Sequence, residues 1–138
     1  MTDKNSMTID KDFAANMCFC CGRDNPIGLH LAIESREGEA SAVWTVSENY
    51  VGWNKTLHGG ILAAIADEVM GHVVDLRREK VVTAHLEVDF IAPIQLGDTL
   101  RCEAKKSSTG RRSVKTEALI TVNGETAAKS SGVYVKVS

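Results

Sequence analysis

The sequence has no run of apolar residues approaching the ~20 that a membrane-spanning helix needs. It has no large excess of charge either. Sixteen basic against 18 acidic side chains leave a net −2, which argues against a general affinity for nucleic acid or anionic membrane. A secretory signal is not expected, because residues 1–16 are polar and mixed in charge. The four cysteines make a poor disulfide framework. Cys18, Cys20 and Cys21 crowd together far from Cys102, a pattern that suits a reducing, cytoplasmic compartment. No internal repeat, linker or low-complexity segment interrupts the chain. What remains is an ordinary balance, 43% hydrophobic and 25% charged, over 138 residues, enough for one domain with its own core. Residues 1–16 are expected as a flexible N-terminal tail and residues 17–138 as that single domain.

Against this background one segment is dense in information. Leu57-His58-Gly59-Gly60 opens a helical run that carries Asp67 and Glu68. At 100° per residue, Leu62, Ile65, Val69 and Val73 share a bulky face. Gly60, Ala63, Ala64, Asp67 and Gly71 lie opposite, so a carboxylate sits in a stripe of nearly bare backbone that a ligand or second helix could approach closely. The glycines leave backbone N–H groups unobstructed at the helix start, where the dipole favours developing negative charge.

Gly59 and Asp67 are eight residues apart, about 12 Å along one helix, too far for both to touch one reacting carbonyl. Two copies packed with these helices antiparallel would bring the Asp67 of one chain to the Gly59 of the other, a site shared across a two-fold axis. The plainer reading is a tight entry turn followed by a solvated acid. The apolar character of nearly every other helix position weighs against it.

The rest reads as strands. Leu29–Ile33 and Ala40–Val46 flank a Glu37-Gly38-Glu39 turn. After the helix, Val82, Ala84, Leu86, Val88 and Phe90 alternate with polar residues until Pro93 and Leu96-Gly97-Asp98. Leu100–Ala104 follows, closed by a Ser107–Gly110 turn. Val114–Val122 comes next, ending in the hairpin signal Asn123-Gly124, and Val133, Val135 and Val137 finish the chain. The order β-β-α-β-β-β-β predicts an α+β domain in which an antiparallel sheet of five to six strands curls around one central helix.

Other chemistry-bearing residues carry weaker signals. Glu68 points about 100° away from Asp67, toward Ile61, Ile65 and His72, which leaves Asp67 the stronger candidate. His72 and His85 read as structural or exposed. Cys18 and Cys21 have a Cys-x-x-Cys spacing that, with His30, suggests zinc, but only one such pair exists and no metal is expected. Lys105, Lys106, Arg111 and Arg112 flank the Ser107–Gly110 turn as a cationic patch, either merely solvated or able to hold phosphates.

The segments Cys18-Phe19-Cys20-Cys21-Gly22 to Asn25-Pro26-Ile27-Gly28-Leu29, Gly52-Trp53 to Asp67-Glu68, and Phe90-Ile91-Ala92-Pro93 to Gly97-Asp98 together resemble the hotdog-fold acyl-CoA thioesterases of the phenylacetic-acid (PaaI-like) type. The resemblance runs from about Cys18 to Val137. It implies a hotdog fold, a homodimer or homotetramer (a dimer of dimers) with sites between subunits, and hydrolysis of an acyl-CoA. The coenzyme would belong to the substrate, with no separate cofactor.

By the same resemblance, Gly59 would supply the oxyanion N–H and His58 would shape that loop or bond to the thioester region. Asp67 of the facing subunit would be general base or nucleophile. Thr83, ten residues before Pro93, stands where some relatives carry a water-orienting hydroxyl. Substrate contacts would involve Gly60, Asn54, Glu68, Arg111 and Arg112. Some relatives carry an asparagine six residues before the histidine. This chain has Gly52 there, with Asn49 and Asn54 nearby. A hotdog hydratase or dehydratase would need a different acid–base arrangement from the one around Asp67, and a noncatalytic acyl-CoA binder would not need Asp67 among small residues.

Overall fold

A computed structural model describes residues 16–74 and 80–137, so the expected tail lies outside the described residues except for Asn16. Helix α1 spans Gly59–Gly71. The strands are β1, Ile33–Arg36; β2, Glu39–Thr45; β3, Lys80–Phe90; β4, Thr99–Thr109; β5, Ser113–Val122; and β6, Glu125–Val137. They form one antiparallel sheet in the order β1-β2-β4-β5-β6-β3. The helix packs against β2 through β6, so the sheet wraps it as the element order predicts.

Periodicity explains the core. Leu100, Cys102 and Ala104 of β4 and Val114, Thr116, Ala118 and Ile120 of β5 face inward, alternating with exposed neighbours. Leu62, Ile65, Val69 and Val73 are buried beneath the sheet as their spacing predicts, joined by Ala66 and Met70. The small-residue stripe behaves differently. Ala63, Ala64, Asp67 and Gly71 are only half-buried within the chain.

Two boundaries differ from expectation. Leu29 and Leu31 are buried but precede β1. Their N–H groups bond to the carbonyls of Phe19 and Cys20 at 2.8 Å each, and His30 between them has a φ of 56°, so this alternation pairs with the cysteine loop instead of the sheet. Strand β4 also runs on through Ser107, Ser108 and Thr109, with a register shift between Lys106 and Ser108, so Arg111 and Arg112 fall inside the hairpin turn itself. The Asn123-Gly124 hairpin is as expected, both residues having positive φ (51° and 81°).

Strand β3 lies at the sheet's edge. It pairs with β6 along one side, and most of its side chains are exposed, including Val82 at 40% and Phe90 at 58%.

Candidate active site

The helix entrance is tied down before it begins. The Leu57 N–H donates to the Ile94 carbonyl at 2.7 Å and the His58 N–H to the Tyr50 carbonyl at 3.0 Å. His58 is the N-cap, its Nδ1 accepting the Gly60 N–H at 2.9 Å, which places the ring proton on Nε2 in the neutral form. Among the described residues nothing accepts from the Gly59 N–H. An apolar cleft of about 300 Å³ opens here, lined by Thr56, Leu57, Leu62 and residues 90–94. Asn54, in the exposed turn Trp53–Lys55, adopts a left-handed conformation with φ 55°.

Asp67 faces the other end of the sheet. Its Oδ1 accepts from the Thr83 hydroxyl at 2.8 Å and the Tyr134 hydroxyl at 2.8 Å. Thr83 and Tyr134 are register partners on β3 and β6, so two neighbouring strands aim hydroxyls at one carboxylate oxygen. Among the described residues no group donates to Oδ2. Tyr134 is a site residue that sequence reasoning missed. Its phenol is pushed well above the ordinary range, first by burial and then by the Asp67 charge, so it remains a proton donor at physiological pH. Gly132 makes room for its ring, since a Cβ there would lie 2.7 Å from Tyr134 Cε2.

Glu68 turns away from Asp67. Its Oε1 accepts from the thiols of Cys18 (3.3 Å) and Cys21 (3.2 Å) and lies 3.3 Å from His72 Nε2. Burial pushes its carboxyl up. Hydrogen bonds from His72, Cys21 and Cys18, with the attraction of His72, outweigh this and leave it below the usual carboxylate range. Burial and then Glu68 push the Cys21 thiol far up. His30 is elsewhere, its Nε2 bonded to the Asn25 carbonyl at 2.8 Å. Glu68 therefore stands with the cysteine loop, apart from the Asp67 hydroxyls.

Strand register locates the cations. Val114 pairs with Tyr134 and with Thr109, so Arg111 and Arg112 turn just beyond the row holding Asp67's two hydroxyl partners. The Arg112 carbonyl accepts from the Lys136 N–H at 2.7 Å, which anchors that turn to β6. The structure thus gathers Asp67, Thr83 and the arginine turn at one end, and His58, Gly59, Gly60 and Asn54 at the other.

Residues 54–128, more than half the chain, match the model of one protein family, described as the thioesterase superfamily. The chain belongs to that superfamily. This superfamily member is 28% identical over 92 residues to a candidate esterase of Pseudomonas aeruginosa, covering 64% of this chain and 69% of the relative. Among solved structures it is similar to the PaaI protein of the phenylacetic acid degradation operon of E. coli, with TM-score 0.75 and 25% identity over 80% of this chain and 81% of that one. A hypothetical thioesterase of Streptococcus pneumoniae, solved with coenzyme A, matches at TM-score 0.73 and 21% identity, covering 77% of this chain and 87% of that one. The architecture of this thioesterase-superfamily chain is therefore the hotdog fold, and the expectation drawn from its motifs is met. None of its helices among the described residues is long and apolar enough to cross a membrane.

Proposed function

We propose that this chain hydrolyses the thioester of an acyl-CoA, releasing coenzyme A and a carboxylic acid, at sites shared between two copies in a cytoplasmic homodimer or dimer of dimers. The observation that carries the reading is the Asp67 carboxylate. Two hydroxyls fix one of its oxygens, and the other is left for water or the thioester carbon. The Gly59 N–H at the positive end of α1 would receive the charge that develops on the thioester oxygen. Asp67 would act on the opposite side as general base or as nucleophile. Coenzyme A enters as substrate, and the chemistry draws on protein groups and water. The S. pneumoniae neighbour holds that ligand, which supports the choice of coenzyme.

Sharing the site follows from length. Gly59 and Asp67 stand at opposite ends of a rigid segment, about 12 Å apart. The long, exposed edge of β3 and the half-open stripe of Ala63, Ala64 and Asp67 support a second chain here, since an unpaired edge of this length is normally covered.

Purified protein assayed with a panel of acyl-CoAs, with free thiol as readout, should turn over at least one. No thiol release from any would exclude the reading in favour of a binder or hydratase. Mixing an Asp67→Asn chain with a Gly59→Pro chain, whose proline removes the N–H at a helix position that tolerates it, should restore activity in heterodimers. No recovery after proven subunit exchange would count against a shared site.

A further inference from the structure

The three crowded cysteines divide by direction. Cys20 points into the core and donates to the Ala64 carbonyl at 3.6 Å. Cys18 and Cys21 point together toward α1, where Glu68 and His72, one turn apart, share a face. The donor atoms of Cys18, Cys21 and Glu68 all lie within 4.8 Å of one another. His72 Nε2 is 3.3 Å from Glu68 Oε1 and 3.9 Å from Cys21 Sγ.

We propose that Cys18, Cys21, Glu68 and His72 form a structural zinc site that clamps the cysteine loop to α1. Ligand bonds of ~2.0–2.3 Å in a tetrahedron put neighbouring donor atoms roughly 3.3–3.8 Å apart, close to the 3.2–3.3 Å between Glu68 and Cys18, Cys21 and His72 and the 3.9 Å between Cys21 and His72. The His72 ring lies outside the tight Cys18–Cys21–Glu68 cluster and would turn toward Cys18 on binding. Two thiolates and an imidazole select zinc over hard cations, and four protein ligands make a closed structural site. Sequence spacing alone offered His30 as the partner of the cysteine pair and left the set incomplete. The fold supplies the missing pair from α1 instead.

The loop is shaped to present the two thiols. The Gly22 N–H bonds to the Cys18 carbonyl at 2.9 Å. A Cβ on Gly22 would lie 2.5 Å from both the Asn16 oxygen and the Cys18 nitrogen, so the turn closes only over glycine. On the far side, the Leu29 and Leu31 N–H groups hold the carbonyls of Phe19 and Cys20. Binding would exchange the thiol protons, now directed at Glu68, for one divalent ion and release both to solvent. The side-chain hydrogen bonds of the four ligands are separate from those of Asp67, which run to Thr83 and Tyr134.

The test uses the full chain, with thiols kept reduced. Protein purified without chelator should carry about one zinc per chain by elemental analysis. After chelation, one equivalent of Co²⁺ should produce the visible bands of tetrahedral cobalt with a thiolate-to-metal charge-transfer band in the near ultraviolet. Cys18→Ser and Cys21→Ser should each weaken Zn²⁺ binding at least ~100-fold and diminish the charge-transfer band, and His72→Asn should weaken binding ~10-fold or more. His30→Gln should leave the spectrum unchanged. The wild-type spectrum decides the matter even if a variant fails to fold. Reduced wild-type protein that gives no such Co²⁺ spectrum, or a charge-transfer band left undiminished by Cys21→Ser, overturns the proposal.

Discussion

Tyr134 and Asp67, 67 residues apart in the chain, are joined by a 2.8 Å hydrogen bond, and the same hydroxyl lies 3.0 Å from the Asp67 backbone carbonyl. The last strand therefore orients the candidate catalytic side chain. Tyr134→Phe keeps the ring and deletes the donor. Turnover should fall by roughly tenfold with KM nearly unchanged, and stability should fall by about 1 kcal/mol. Steady-state kinetics and urea denaturation check both, and unchanged turnover would remove Tyr134 from the site.

Asp67→Asn keeps an oxygen that can accept from Thr83 and Tyr134, so the fold should survive while the base or nucleophile is lost. Turnover should drop by at least ~100-fold. Activity within a few-fold of wild type, at unchanged melting temperature, would refute the assignment.

How much of this was legible in the sequence depends on where each residue's partner lies. The helix and its buried face follow from local spacing, and so does the Asn123-Gly124 turn. Tyr134 was hidden because Val133-Tyr134-Val135 offers apolar bulk on both faces of the strand. The structure buries Tyr134 and leaves the two valines only partly covered. Gly132 and Gly71, whose open faces border its ring, were the available signal. The partners of Glu68 were hidden for another reason. Cys18 and Cys21 are 50 and 47 residues away, and only the folded loop brings them to α1.

Gly132→Ala tests the packing directly. Its Cβ would come within 2.7 Å of the Tyr134 ring, and a ring held between sheet and helix has little room to yield. Stability should fall by about 1–3 kcal/mol, with turnover falling alongside. A variant as stable and active as wild type would show that the ring shifts freely.

Arg111→Ala with Arg112→Ala should raise KM for acyl-CoA and leave turnover nearly unchanged, since these side chains stand on the turn beyond Asp67's row. The effect should fade with added salt and shrink for a pantetheine thioester lacking the nucleotide phosphates. Equal loss of turnover on both substrates would assign the arginines to the fold.

Alkaline stability has a defined source in Cys102. Burial, then the nearby Glu103 charge, pushes its thiol from 9.0 up to about 12. The folded chain keeps this proton where the unfolded chain gives it up. The contribution is therefore whole below pH 9.0 and is lost as pH rises from there toward 12. Near pH 10 the loss should be about 1 kcal/mol relative to neutral pH, and Cys102→Ala should lack that share of the slope. Denaturation midpoints at the two pH values measure it.

His58 caps and Asp67 and Glu68 ride on a single stretch of regular helix, each with its own set of partners. A one-residue insertion between His58 and Asp67 would swing both acids by about 100° and misalign the hydroxyl row and the cysteine loop together. No compensating change at one contact could repair the other. The turns at Gly38, Gly97 and Gly124 carry no such double obligation. The distance from His58 to Asp67 is thus a fixed length in this chain, a molecular ruler around which turns can lengthen and surfaces can drift.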